Sequence, residues 1–174
     1  MKQKKKIIPL TRAHDLKRGV DYIGITVCFF CHDGKGNFVM HKRSIHCRDE
    51  VGRWDAGGGS MEFGETFEQA VRREVMEEYG TPILELAHIA TNNVLRNNNG
   101  TPTHWIANIF SCRIDAKKVK NNDPQYIDEI GWFTEDAFPQ PLHSKFLEHF
   151  EYIKKAGILK TKKTESSTRR RRGV

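Results

Sequence analysis

Cysteine is scarce in this chain: four among 174 residues, at positions 28, 31, 47 and 112, too few and too scattered for a disulfide framework. Cys28-Phe-Phe-Cys31 has the spacing of a redox or zinc pair, but it lies within Ile23–Cys31, an apolar, β-branched and aromatic run that reads as a strand. Residues three apart on a strand point to opposite faces, so these thiols are expected in the core of a protein kept in a reducing, cytoplasmic setting, without a shared metal. Also missing is any run of about twenty apolar residues, so no membrane-spanning helix and no membrane partner is expected. Met1–Leu10 opens with basic residues, yet its apolar stretch is only Ile7-Ile8 before Pro9, short of the roughly 7 to 15 residues of a signal-peptide core.

Positive charge is sparse where the fold must be. The formal net charge is +7, but residues 1–18 carry seven Lys/Arg against Asp15, and residues 154–174 carry nine against Glu165, which leaves the middle at −7. An acidic body repels a phosphate backbone, so nucleic acid is expected as a partner only through the basic tail and its run Arg169–Arg172. The expected division is a basic N-terminal segment 1–18, one domain over 19–157, and a basic tail 158–174 with almost no apolar residue, expected to be disordered. Oligomeric state is not legible.

The middle reads as hairpins and two helices. Val20–Cys31 and Phe38–Arg43 are expected strands, joined by Asp33-Gly-Lys-Gly36, which supplies the residues a tight turn needs. Trp54-Asp55-Ala56 is a short strand, and Gly57-Gly58-Gly59 is expected to break it and begin a loop. Thr66-Phe-Glu-Gln69 fits a capping box, and Phe67, Val71, Val75 and Tyr79 recur every four residues up to Gly80, which predicts a helix over Phe67–Tyr79. Ile83–Leu95 and Thr103–Arg113 are β-rich and meet at Asn97-Asn-Asn-Gly100, a hairpin signal; the sequon Asn99-Gly-Thr101 is read as unused in a cytoplasmic chain. Tyr126–Phe133 is a last strand, and Leu142, Phe146, Leu147, Phe150 and Ile153 form a helical apolar stripe ended by Gly157. Hairpins in a mixed sheet flanked by two helices predict an α/β or α+β sandwich, not a doubly wound parallel sheet.

The helix carries Arg73-Glu74-Val-Met-Glu77-Glu78-Tyr-Gly80. At 100° per residue, Glu74, Glu77 and Glu78 share an arc of roughly 100°. Like charges at these spacings, placed in the last turns where the helix dipole disfavours anions, weaken a helix. Clustered carboxylates without His or Cys are the donor set of a hard cation such as Mg²⁺ or Mn²⁺. Upstream, Gly57-Gly-Gly-Ser-Met-Glu-Phe-Gly64 leaves the main chain unhindered for close approach by a metal or a phosphate.

Gly59, Glu65, Arg73-Glu74, Glu77-Glu78 and Gly80, with aliphatic Val75, stand at the fixed spacings of one signature, and the stretch Gly59–Thr81 resembles the Nudix box of the Nudix hydrolases. Seven identities, each at roughly one in fifteen by composition, coincide by chance about once in 10⁸ positions. Thr81 departs from the aliphatic residue that usually closes the box. The resemblance extends over most of 19–157, through the hairpin before the box, Trp54-Asp55, and Asp128-Glu129-Ile-Gly-Trp132-Phe133.

This resemblance implies a Nudix-type α/β/α sandwich around a mixed β-sheet, and divalent-metal-dependent hydrolysis of a nucleoside diphosphate linked to another group. It implies metal ligands at Glu74, Glu77 and Glu78, a carbonyl at Gly58 or Gly59, a positioning ion pair from Arg73 to Glu65 or Glu77, and a further acid beyond the box, at Glu129 or Asp128, with Glu129 favoured. The base is left open among Glu74, Glu78 and Glu129. Lys42 and Arg43 end a strand near the box and, with Gly58 and Gly59, are candidates for holding substrate phosphate; Trp54, Trp105 and Phe138 are candidates for stacking on a base. Nucleoside triphosphates or modified nucleotides, ADP-ribose-like compounds and dinucleoside polyphosphates are the expected substrates. RNA 5′-end pyrophosphate removal and a non-catalytic nucleotide sensor are the alternatives, the latter disfavoured by the intact glutamates. An isopentenyl diphosphate isomerase is disfavoured because Cys47 is flanked by His46 and Arg48.

Overall fold

A computed structural model describes residues 16–98 and 100–157. The expectations for the basic ends, including Arg169–Arg172, and for Asn99 of the sequon lie outside the described residues. The elements run β1 (Gly24–His32), β2 (Phe38–Arg43), β3 (Trp54–Asp55), β4 (Gly58–Ser60), α1 (Phe67–Tyr79), β5 (Ile83–Asn98), β6 (Thr101–Ile114), β7 (Ile127–Phe133), a 3₁₀ turn (Glu135–Ala137) and α2 (Phe146–Ala156). Among the described residues seven strands form one mixed sheet in the order β3-β2-β1-β6-β5, with β4 on β1 and β7 on β2. β1 and β6 pair in parallel along their length; the other pairs are antiparallel.

β1 is apolar on both faces because both are covered, the pattern of a central strand. Val27, Phe29 and Cys31 pack with Val39, Phe110 and Cys112 beneath Ala70, Val71, Val75 and Tyr79 of α1. Phe30 faces the other way, with Phe38, Met40, Trp54 and Ile109 under Phe146, Phe150 and Ile153 of α2. Cys28 also packs on that second face, so the two thiols of the Cys-Phe-Phe-Cys stretch point apart. Cys28, Cys31, Cys47 and Cys112 are all free.

Helix α1 matches its expected bounds. The Thr66 hydroxyl accepts from the Gln69 amide, the Gln69 side chain accepts from the Thr66 amide, and Gly80 closes the helix at φ +63°. Three expectations are corrected. The first strand begins at Gly24, not Val20, because residues 17–22 close a turn and Gly19 and Gly24 lie flat against Trp105, where an added Cβ would come within 2.3 and 2.4 Å of the ring. Gly58–Ser60 is a strand, not the start of a loop: without side chains the glycines lie across β1 so closely that a Cβ on Gly58 would stand 2.7 Å from the Val27 carbonyl. Leu142 lies before α2, although it is buried in the same core.

The placement of β3 and β4 creates the functional region. β1 and β2 are registered at His32↔Phe38, and beyond that end β4 pairs with β1 while β3 pairs with β2. Residues 54–60 thus bridge a split in the sheet, and both faces of the split open into cavities.

Candidate active site

On the α1 side, Arg73 is the organising cation. Its Nε and Nη2 donate to the two oxygens of Glu65 at 2.7 and 3.0 Å, its Nη1 to Glu74 at 2.8 Å and Glu77 at 3.1 Å, and Nη2 also reaches the Ser60 carbonyl. A planar guanidinium suits this forked arrangement and fixes the helix against the glycine strand. The Arg73 hydrogen bonds hold Glu65 down to a pKa of about 2. Glu74 is pushed up by burial, with Arg73 opposing.

Glu78 differs from its neighbours. It is almost wholly buried and pushed well up by burial and then by the charge of Glu74; its Oε1 accepts weakly from the Gly58 amide at 3.4 Å, and its buried Oε2 has no hydrogen-bond partner among the described residues. His41 Nδ1 stands 3.6 Å from that oxygen, but burial lowers the His41 pKa to about 4 and keeps the ring neutral. The glycines set this approach: a Cβ on Gly59 would fall within 1.9 Å of the Glu74 carboxylate, and one on Gly57 within 2.7 Å of Glu78. Only glycine lets these carboxylates press against a strand.

The carbonyl end of α1 is tied down from outside the box. The Asn122 side chain donates to the Met76 and Glu77 carbonyls, its amide to Glu78, and the Lys120 amide to Tyr79. These bonds satisfy carbonyls that a helix end leaves free. The same loop puts Asp123 in the acidic cavity, about 200 Å³, with Glu74, Glu77, Glu78, Arg43 and Arg48. Asp123 had no signal in its spacing; only the bonds of its loop to the helix end bring it there.

The remaining candidates separate. Lys42 and Glu129 are cross-strand partners joined at 2.8 Å, on the side of the sheet shared with Met40 and Trp54, and neither lines the acidic cavity. β7 already runs as strand at 129, so alternation directs Glu129 away from the helix face, and Asp128 does not line the cavity either. Arg43 stays at the site, bonded to Asp49. Asp49 and Glu50, in a loop with no periodicity, bind Arg96 of the β5–β6 hairpin, and Glu50 also holds Arg53 and Ser144. Trp54 and Phe138 are core.

The carboxylate and main-chain oxygens fit a hard cation: among the described residues Glu78 Oε2 is buried without a hydrogen-bond partner, Glu74 lies in a cradle that any side chain at 59 would fill, and α1 itself carries no thiol or imidazole, although His41 and Cys47 line the same cavity from outside the helix. Among the described residues these acids do not already converge on one point, since Glu77 is half exposed and turned to Arg73.

A second cavity, about 170 Å³, opens on the α2 side of the same glycines, between Trp105 and Phe146. Gly58, Arg43 and Arg48 line both cavities, and Arg48 lies over the Trp105 ring at 4.8 Å.

The profile of the NUDIX domain matches residues 23–155. The chain belongs to the Nudix family. Its curated relatives include the NAD-capped RNA hydrolase NudC of Pectobacterium carotovorum, 30% identical over 119 residues, or 68% of this chain and 42% of that protein. They also include the human 8-oxo-dGDP phosphatase NUDT18, 26% identical over 137 residues, 77% of this chain and 38% of that one. The nucleoside triphosphatase NudI of an Enterobacter species is 33% identical over 93 residues, 49% of this chain and 64% of that one. The chain thus spans about two fifths of the length of the NudC and NUDT18 relatives. Among solved structures, the MutT Nudix hydrolase of Burkholderia pseudomallei shares the fold at a TM-score of 0.67 and 24% identity, over 76% of this chain and 98% of that one. The Nudix domain of Shewanella oneidensis NrtR, complexed with ADP ribose, does so at 0.65 and 17%, over 83% and 92%. Among the described residues no helix is long and apolar enough to cross a membrane.

Proposed function

We propose that this Nudix domain hydrolyses a phosphoric anhydride in a nucleotide, a nucleoside diphosphate linked to another group. The observation that carries this reading is the meeting of an acidic cavity and an aromatic-walled cavity at Gly58, with Arg43 and Arg48 common to both. An elongated ligand with a phosphate part and a ring part fits that pair. The substrates for which the relatives are named agree: NAD-capped RNA, 8-oxo-dGDP and nucleoside triphosphates all carry such an anhydride.

Glu74, Glu77 and Glu78 would hold the divalent cation, Mg²⁺ or Mn²⁺, which when bound neutralises diphosphate charge and makes water more acidic. The chain's own part is positional. Arg73 fixes Glu74 and Glu77, the Asn122 loop fixes the end of α1, and Arg48, exposed over Trp105 with only a long 3.9 Å pair to Asp49, turns to a phosphate oxygen. Glu78, with an unpartnered oxygen, accepts the proton of the attacking water as that water's oxygen bonds to phosphorus and the leaving phosphate departs in line.

The test is a release assay over nucleoside di- and triphosphates, ADP-ribose, dinucleoside polyphosphates and NAD-capped RNA with Mg²⁺ or Mn²⁺, scoring phosphate, pyrophosphate and nucleoside monophosphate. Metal-dependent release from at least one substrate is expected. No release from any, or undiminished release in EDTA, overturns the proposal.

A further inference from the structure

The α2-side cavity has a polar end that bond cleavage does not require. At about 170 Å³ it is smaller than the roughly 300–1,000 Å³ that encloses a drug-sized ligand, so it suits one planar ring system with the rest of the substrate outside. Trp105, Phe146 and Cys28 supply its apolar walls. Asp55 and His149 supply polarity that the protein itself leaves incompletely used.

Asp55 ends β3, inside the split of the sheet. Its Oδ1 accepts from the Ala56 amide at 2.8 Å, while its Oδ2 faces His143 Nδ1 at 3.9 Å, beyond hydrogen-bond reach. Burial raises the Asp55 pKa, but His143, His41 and Arg43 outweigh it and hold the group below the ordinary carboxylate range. His149, on α2, is 7% exposed, and its Nε2 is buried without a partner among the described residues. Burial lowers its pKa, so the ring is neutral and offers one donor and one acceptor nitrogen. A buried polar atom left without a partner is costly, and a ligand that supplies the partner removes the cost.

Building on the nucleotide reading above, we infer that Asp55 and His149 read the base of the substrate and select a guanine-type edge, two adjacent N–H donors beside a carbonyl. An ionised carboxylate is an acceptor only, with about four lone-pair sites, of which the Ala56 amide uses one. The N1–H and 2-amino group of guanine fill both of its oxygens, and His149 Nε2–H donates to the neighbouring O6. Adenine and cytosine each set a ring-nitrogen lone pair against one carboxylate oxygen, and uracil offers a single N–H between two carbonyls. A site built to be hydrogen-bonded rejects the ligand that leaves it unpaired.

The experiment is calorimetric binding of GMP, dGMP, AMP, CMP and UMP to the full chain in EDTA, so that no hydrolysis is needed. GMP and dGMP are expected to bind roughly ten- to a hundredfold tighter than the other three. Asp55→Asn should shrink that preference below about threefold, and His149→Phe should narrow it by a smaller factor, each variant first shown to unfold cooperatively on heating. If Asp55→Asn does not fold, His149→Phe decides alone. Equal affinities, no binding by any monophosphate, a ranking set by the 2′-hydroxyl instead of the base, or a preference that survives in the folded variants overturns the inference. Hydrolysis is scored separately: an active enzyme without base preference defeats this inference alone, whereas base-ranked binding without hydrolysis of any substrate defeats only the enzymatic reading.

Discussion

The two faces of the sheet are built by different means. On the α1 face, Gly57–Gly80 supplies most of the functional groups, and Arg73 ties four of them within one 24-residue stretch. On the α2 face, the cavity draws on β1, β3, β6, the loop holding Arg48 and Asp49, and the start of α2, segments more than 100 residues apart in the chain. The first face concentrates charge on a rigid helix whose two ends are capped; the second concentrates aromatic rings, with Phe30 and Phe138 edge-on or tilted to Phe146 and Phe150, which stack on each other. On the proposed reading, chemistry sits on local structure and selection on tertiary structure.

The sharpest way to break this contrast is Glu78→Gln. Turnover on the substrate found by the release assay should fall by about 10² to 10⁴-fold, the range of a lost base or ligand, while thermal stability is retained because a buried oxygen without a partner gains nothing from its charge. Turnover within tenfold of wild type would remove the α1 face from the chemistry.

A second comparison separates two acids from outside the box. Asp123→Asn, in the acidic cavity, should lower turnover by roughly tenfold, the scale of a supporting group. Glu129→Gln, which only breaks an exposed pair with Lys42, should change turnover by less than about threefold. The reverse ranking would mean that β7 opens when substrate binds.

The α2 side also holds imidazoles that acid should attack. Burial lowers the pKa of His32 and of His149, so as pH falls through about 6.5 the unfolded chain takes up protons more readily than the folded state does. In that window the unfolded state binds more protons, so stability is full above about pH 6.5 and is lost as pH falls toward the folded-state values. The slope is at most about 1.4 kcal/mol per pH unit for each ring. Urea midpoints should fall from pH 7.5 to 5.5, and less steeply in His149→Phe; parallel curves would show that His149 is protonated in the folded state.

The smallest effect concerns the residue that departs from the box. Thr81 is fully buried and its hydroxyl has no partner among the described residues, so Thr81→Val should raise stability by about 1 kcal/mol in denaturant melts. A loss would reveal a partner for that oxygen.

How much of this was legible follows from which forces are local. Helix α1 is written in Thr66, Gln69 and Gly80 and in the four-residue spacing of its apolar stripe, and the acidic face follows from spacings 74, 77 and 78, because helix geometry relates neighbours a turn apart wherever the helix lies. The α2-side core was equally visible in Phe146, Phe150 and Ile153, although the start of the helix was not, since Leu142 keeps the apolar rhythm before the helix has begun. The strand Gly58–Ser60 was not legible, because glycine carries no strand signal and its pairing rests on the close approach of β1.

The sequence by itself determined helix α1, most of the strands, the two-faced apolar pattern of β1 and the carboxylate cluster, since each depends on dihedral preferences and on residues within a turn or two. Tertiary structure decided which acids meet. Asp123 reaches the cluster because its loop binds the carbonyl end of α1, and Glu129 does not because the β2–β7 register pairs it with Lys42. It also decided the split between β1–β4 and β2–β3, which leaves Asp55 and His149 facing one cavity from positions 94 residues apart. Contacts of that range are fixed by strand pairing across the whole sheet, and no local spacing encodes them.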